Sequence, residues 1–492
     1  MVDSAKRKAK IEKEVEEKAK ALKGTAPRLS SSLLDEVINL TEWPCAVVGD
    51  FENDYLELPA MLIETIMVHH QRYFPVRASE SKLLPHFITI SNNDAQGSEA
   101  KIKQGNERVL RARLADGKFF YHDDARQKLG DRKDALGNLT YQEGLGSYLD
   151  KTNRLTKGSE RLAKLVVLSP EQSKDLSRVC ALMKLDLVTG LVRELPELQG
   201  YVGSWYAARE GENEGVVAAL ASHYAPRNSQ DKIAADRLGQ MAGVIDKLDH
   251  IACLFALGKK PSGSSDPYGL RRSAQGLIDT LVDGLSDVSV DLPVLISGAL
   301  DDVIPTLKNS KVDKAAVLED IRDFLTQRLK GKLLDLNYSR ELVDCAMGVG
   351  EPLSDISSLL LRLKVLSKLV QNKDNHALIR VGVRVGNILK DDATTKVDES
   401  LLQEDAEKEL WQAFQKEVGS KLKSDAPKSE PEFEKMFSHL ATLTAAVDNF
   451  FDKILVNDKD EQKRKNRHAI LRNIDIHLKN VGDFTKLQPL IN

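Results

Sequence analysis

Aromatic residues make up only 5% of this 492-residue chain, and cysteine occurs at four positions, Cys45, Cys180, Cys253 and Cys345. The cysteines are far apart, so no C-x-x-C pair offers a zinc or redox site, and a reducing compartment is the simple reading. No apolar run reaches the ~18 residues a membrane span needs. No signal-peptide pattern opens the chain. An excess of one charge is also missing: 71 Lys and Arg stand against 74 Asp and Glu. Any nucleic-acid contact must therefore come from local patches. With so few aromatics and no Phe/Tyr-interleaved strand, a binder that stacks single-stranded bases lacks support, which leaves recognition by shape and phosphates. The phosphate loop G-x-x-x-x-G-K-[ST], the dinucleotide turn G-x-G-x-x-G and the nucleophile elbow G-x-S-x-G are all missing. Nucleotide hydrolases, dinucleotide enzymes and serine hydrolases have no sequence support.

What is present is a foldable chain, 41% hydrophobic and 29% charged, long enough for about three or four domains. Lys6-Arg-Lys-Ala-Lys-Ile-Glu-Lys-Glu-Val-Glu-Glu-Lys-Ala-Lys20 mixes both signs at helical spacing, unlike an acid-poor transit peptide. Residues 24–28 read as a linker and 33–43 as a short helix ending at Pro44. Ala46-Val-Val and Phe87-Ile-Thr-Ile are β-rich runs, so the first domain is mixed α and β. Beyond them, apolar residues recur at three and four, as in Leu277, Ile278, Leu281 and Leu285 and again in Ile321, Phe324, Leu325 and Leu329, the faces of packed helices. Ser169-Pro170, Pro196 and residues 258–269 mark breaks, and 423–431 reads as a polar inter-helix loop.

Several patterns can carry binding chemistry. Arg108, Arg111 and Arg113 fall within two helical turns, with Val109, Leu110 and Leu114 free to pack behind them. Asp246, Asp249 and His250 share one helical face, a spacing that metal sites use. Asp266 before Pro267 fits a helix start that projects Arg271 and Arg272. Arg380, Arg384 and Asn387 follow i, i+4, i+7, and Lys463-Arg-Lys-Asn-Arg-His468 adds five cationic or imidazole side chains, Lys463, Arg464 and Arg467 among them. As isolated patterns such charge runs are ordinary solvated faces.

Taken together, Met67-Val-His-His-Gln-Arg-Tyr-Phe-Pro-Val76, Leu83-Leu-Pro-His-Phe-Ile-Thr-Ile-Ser-Asn92 and Gly105-Asn-Glu-Arg-Val-Leu-Arg-Ala-Arg-Leu-Ala-Asp116 resemble the β subunit of bacterial-type glycyl-tRNA synthetase. Glu197-Leu-Gln-Gly-Tyr-Val-Gly-Ser-Trp-Tyr206, Gly263-Ser-Ser-Asp-Pro-Tyr-Gly-Leu-Arg-Arg-Ser-Ala274 and Arg380-Val-Gly-Val-Arg-Val-Gly-Asn-Ile-Leu-Lys390 extend the resemblance, as do Val447-Asp-Asn-Phe-Phe-Asp-Lys-Ile-Leu-Val-Asn457 and Gly482-Asp-Phe-Thr-Lys-Leu487. It implies a predominantly α, multidomain fold. The expected divisions are an N-terminal helix with a mixed α/β domain over 1–130, an HD-like helical domain over 131–290, a helical body over 291–374 and an anticodon-binding helical bundle over 375–492. The family's N-terminal module, which normally precedes the helix at Lys6, is expected to be missing, by truncation or naturally, or the chain is the tail of an α–β fusion.

The resemblance also implies a role. The chain would bind and orient tRNA-Gly, with Arg108, Arg111, Arg113, Arg271, Arg272, Arg380, Arg384, Asn387, Lys463, Arg464 and Arg467 as contacts. ATP- and magnesium-dependent glycylation would occur on a separate α subunit in an α2β2-type assembly. No synthetase signature (HIGH, KMSKS or an arginine-bearing class II set) is found, so catalytic residues are expected on the α subunit and no cofactor on this chain. Leu185 stands where the HD domain would carry its His before Asp186, and the family commonly carries Lys at Ser265. Asp186 and Asp246 are therefore read as degenerate metal positions that make helix-to-helix hydrogen bonds, with His250 solvated or capped and His223 a packed surface histidine. A cytoplasmic bacterial or a plastid location is expected, with no membrane partner. The alternatives are an HD-type metal-dependent phosphohydrolase and a free-standing RNA-binding protein, separated by metal content at Asp186 and Asp246 and by co-purification with an α subunit.

Overall fold

An aspartate sets the first helix in place: Asp3 accepts the N–H groups of Ala5 and Lys6 at 2.9 and 3.3 Å and starts α1 (Ser4–Ala21). The structure, a computed structural model, describes residues 1–26, 31–92, 97–262, 266–307, 311–389, 394–422 and 426–491, with residues 31 and 32 by backbone alone. In chain order, α2 (Ser31–Leu40), β1 (Cys45–Asp50), α3 (Ala60–Thr65), β2 (Phe74–Ser79), β3 (Lys82–Ser91) and α4 (Glu99–Asp124) follow α1. Next come α5 (Tyr148–Leu165), α6 (Pro170–Leu182), α7 (Gly190–Glu194), α8 (Tyr201–Arg209), α9 (Glu214–Ser222), α10 (Arg237–Ala256), α11 (Leu270–Asp279), α12 (Leu292–Val303), α13 (Lys314–Asp335), α14 (Arg340–Met347) and α15 (Ile356–Gln371). The C-terminal stretch holds α16 (His376–Ile388), α17 (Asp405–Phe414), α18 (Glu430–Ala441), α19 (Thr444–Lys453) and α20 (Glu461–Lys479).

By their internal contacts the described residues form two compact units, one of Met1–Thr140, Ser147–Leu149 and Leu182–Ala221, the other of Tyr141–Gly146, Asp150–Ala181 and Ser222–Asn492. The stretch 131–290, taken above as one HD-like domain, thus contributes to both units. In the first unit β1 and β2 flank β3, all antiparallel, with Val48 and Phe74 both opposite Ile88. Ile11, Val15 and Ala19, four residues apart on α1, meet Val37, Ala46, Phe74 and Ile88 in one apolar core. The two expected β-rich runs are strands. The third strand, β2, was not among the expected runs; its Pro75 cannot donate to a ladder but is tolerated at an edge, where the register is broken between Pro75 and Arg77. The helix expected over 33–43 stops at Leu40, and the Asn92 side chain accepts the N–H of Trp43 at 3.1 Å. The expected linker 24–28 lies partly outside the described residues.

In the second unit α10 is buried along most of its length and packs on α11, α12 and α13. The expected breaks at Pro170 and between α10 and α11 are present, though residues 263–265 lie outside the described set. So do residues 423–425 of the expected polar loop, while Glu430 and Pro431 open α18 instead of ending that loop. Around α16 gather α18, α19, α20 and the turn Phe484–Leu490. Gly382 lets that turn approach: a Cβ there would lie 2.6 Å from the Phe484 ring.

Candidate nucleic-acid interface

Helix α16 buries Leu378, Ile379, Val381, Val383 and Val385, which fixes where its polar residues emerge. Arg380 and Asn387 are exposed. Arg384 is half-buried, with its guanidinium 4.5 Å from the Phe451 ring centre, 2.9 Å from Asp448 and 3.6 Å from Asp452. Arg380 makes no ion pair with any described residue, so an anion could use it without displacing a carboxylate. At Arg384 a phosphate would have to compete.

The cationic start of α20 divides in two. Lys463 and Arg464 are half-buried, and Arg464 donates to the Asp458 carbonyl at 2.9 Å. Arg467 is only 5% exposed and donates to Glu407 at 2.6 Å, to Asp458 at 2.7 Å and to the Leu455 carbonyl at 3.0 Å. Asn466 is buried as well, bridging the backbone N–H and C=O of Asp398. The expectation that Arg467 faces RNA is corrected: it lies on the buried stripe of α20, where its charge is already matched.

On α4, Leu110 and Leu114 are buried as expected, but Val109 is 43% exposed and does not pack behind the arginines. Arg108, Arg111 and Arg113 are all exposed. Arg111 pairs with Glu52 at 2.6 Å and Arg113 with Glu194 at 3.3 Å. At the start of α11 both oxygens of Asp266 accept backbone N–H groups, from Leu270 and Arg271, each at 2.8 Å. Gly269 takes the left-handed φ of 66° that the turn requires. Arg272 is exposed, Arg271 half-buried, and Ser265 lies outside the described residues.

The HD-like positions do not share a unit: Asp186 belongs to the first and Asp246 to the second. Asp186 is buried and caps α8 by accepting the N–H groups of Gly200 and Gly203. Asp246 forms an ion pair with Lys151 on α5 at 2.9 Å, through an oxygen that takes no hydrogen bond, where a helix-to-helix hydrogen bond was expected. Lys151 also reaches Asp249 at 2.9 Å, and Arg154 grips Asp249 at 2.7 and 3.3 Å. Burial pushes the Asp249 carboxyl up, but Lys151 and Arg154 outweigh it and hold the group below its ordinary range.

His250 is neither solvated nor a helix cap. Its Nε2–H donates to the Tyr268 carbonyl at 2.9 Å, which leaves Nδ1 to accept from the Tyr141 hydroxyl at 2.7 Å. Burial, then the Lys151 charge, lowers its pKa, so the ring is neutral at pH 7. His223 is fully buried rather than at the surface. Among the described residues no group of three or more His, Cys, Asp or Glu is placed to hold a metal ion. The arrangement can lock α5 to α10 by charge. Sequence reading missed Lys151 and Arg154, although their i, i+3 spacing mirrors that of Asp246 and Asp249.

Residues 1–348 match the family model described as glycyl-tRNA synthetase beta subunit, and residues 378–490 the model described as DALR anticodon binding domain. The chain is 37% identical over 487 residues to the glycine–tRNA ligase beta subunit of Clostridioides difficile, a match covering 99% of this chain and 69% of that protein. It is 36% identical to the beta subunit of Desulforamulus reducens, with the same coverage, and 34% identical to that of Gloeothece citriformis, over 98% of this chain and 69% of the relative.

Proposed function

Because the chain belongs to the glycyl-tRNA synthetase beta subunit family, we propose that it is the subunit of glycine–tRNA ligase that binds tRNA-Gly and orients it for glycylation on a separate α subunit. The observation that carries this reading is the helical bundle around α16: it coincides with the anticodon-binding match and presents Arg380 and Asn387 to solvent. Positioning needs donors rather than acid–base groups, and the exposed Arg380 and Asn387 support that reading.

Within the reading, Arg380, Asn387, Arg384, Lys463 and Arg464 contact the anticodon arm, while Arg108, Arg111, Arg113, Arg271 and Arg272 hold backbone phosphates elsewhere on the tRNA. ATP and magnesium act on the α subunit, in an α2β2-type assembly. Among the described residues no helix is long and apolar enough to cross a membrane. The cytoplasm, or a plastid stroma, is the proposed location.

The test is tRNA-Gly charging with an α subunit, with and without this chain. Charging that requires both subunits is expected. Full charging by the α subunit alone, or no gain when this chain is added, would sink the assignment.

A further inference from the structure

Half-buried and buried arginines of this chain commonly sit against a carboxylate: Arg77 on Glu64 at 2.6 Å, Arg154 on Asp249 at 2.7 Å, Arg467 on Glu407 at 2.6 Å. Arg328, midway along α13, departs from this habit. It is half-buried, yet among the described residues no carboxylate lies within ion-pair distance of it. Its guanidinium is 3.5 Å from the centre of the Phe324 ring one turn earlier and donates to the Phe324 carbonyl. Phe324 is itself held by Phe255 at the end of α10, with ring centres 5.1 Å apart. The plane of the guanidinium is therefore set by packing.

Its electrostatic surroundings add to the mismatch. Helices α11 and α13 pack together, and the charge nearest in effect is a like one. Burial first, then Arg271, pulls the Arg328 pKa down, and Asp266 pulls less strongly the other way. Both oxygens of Asp266 are already occupied by the N–H groups that start α11. A cation removed from water beside another cation, without a carboxylate, is costly unless an external anion completes it. A stacked guanidinium keeps its remaining N–H fork open, and that fork matches two oxygens of a phosphate.

We propose that Arg328, with Arg271 at the start of α11, holds a phosphodiester group of the bound RNA. This rests on the tRNA-binding reading above and adds a contact that the sequence pattern did not single out.

The experiment measures tRNA-Gly binding to the full chain and to Arg328→Gln and Arg328→Lys across a potassium chloride series, with thermal unfolding recorded beside it. Arg328→Gln is expected to bind about tenfold more weakly, the net worth of a charged hydrogen bond. Its log–log salt slope should be shallower by about 0.7 to 0.9. Its thermal midpoint should stay level or rise, because an uncompensated charge has been removed. Arg328→Lys should keep the parent's slope and recover part of the affinity, since it restores charge without the fork. If the parent binds tRNA-Gly and Arg328→Gln matches it in affinity and slope, the tRNA reading stands and this proposal falls. A lowered midpoint for Arg328→Gln would assign the residue to the fold and also overturn it. A parent that binds no tRNA-Gly refutes the underlying reading and this one together.

Discussion

Arg467 and Glu407 meet at 2.6 Å with their side chains only 6% and 3% exposed, which makes them a buried ion pair between α20 and α17. Glu407 also accepts the N–H groups of Gln403 and Glu404, so the same carboxylate closes the start of α17. Arg467→Ala should cost about 3 to 5 kcal/mol, because it strands a buried carboxylate. Arg380→Ala, on an exposed face, should stay within about 0.5 kcal/mol. Thermal unfolding followed by circular dichroism separates them; an Arg467→Ala protein that melts like the parent would refute the structural role.

A second expectation concerns the cluster on α5 and α10. Asp249→Ala leaves Lys151 and Arg154 buried without their shared carboxylate and should destabilise by a similar about 3 to 5 kcal/mol. The native carboxyl lies below its ordinary pKa, so its contribution is complete above the usual carboxylate range and is lost as pH falls through the depressed value. Acid unfolding that is no earlier in Asp249→Ala than in the parent would contradict this.

The neutral, half-buried His250 gives a milder pH effect. Its folded pKa is lowered by burial and by Lys151, so the unfolded chain binds the extra proton first and stability declines as pH drops below the ordinary histidine value. His477 on α20, lowered by burial, adds in the same direction. Each contributes at most about 1.4 kcal/mol one pH unit below that value. Replacing His250 by Asn should flatten the fall in melting temperature between about pH 7.5 and about pH 5.5. An unchanged fall would remove His250 from the account.

For tRNA binding, Arg380→Ala should lower the salt slope by about 0.7 to 0.9 if it meets a phosphate. Arg384→Ala should lower it less, since Asp448 and Asp452 already hold that cation. The double variant of Lys463 and Arg464 tests the half-buried cationic start of α20. Parent-like binding by all three variants at every salt concentration would reduce these residues to a solvated face.

The chain alone should show no glycine-dependent pyrophosphate exchange, because its sequence carries no adenylate-forming signature. Measurable exchange by the pure chain would reverse that expectation.

Much of this was legible in the sequence, and the gaps have physical causes. Period and punctuation located α4, α10, α11, α13 and α16, because their apolar stripes and their breakers act locally. The strand β2 was hidden by Pro75, which an edge tolerates and a pattern penalises. The roles of Arg467 and Val109 were misjudged for a common reason: residue type states what a side chain can do, while helix rotation decides whether it meets water. Asp246 was rightly placed between helices, but its partner Lys151 is 95 positions away in sequence and only packing brings it near. Arg328 was invisible because what marks it, the lack of a carboxylate among the described residues within ion-pair distance, is not written in the sequence.

The last turn of α4 has a consequence for the order in which the chain is made. Asp124 accepts the N–H groups of Gly190 and Leu191 at 2.9 and 2.8 Å, a link between residues that leave the ribosome far apart in time. Most of α5 and α6, synthesised between them, belongs to the other unit, whose remaining residues begin at Ser222. The first unit is complete only once Ala221 has been made, so α5 must wait through its closure before α10 exists to receive it. Slow translation at the point where Ala221 has just cleared the ribosome should therefore favour correct folding, whereas a pause before Gly190 emerges should prolong the exposure of the unfinished first unit.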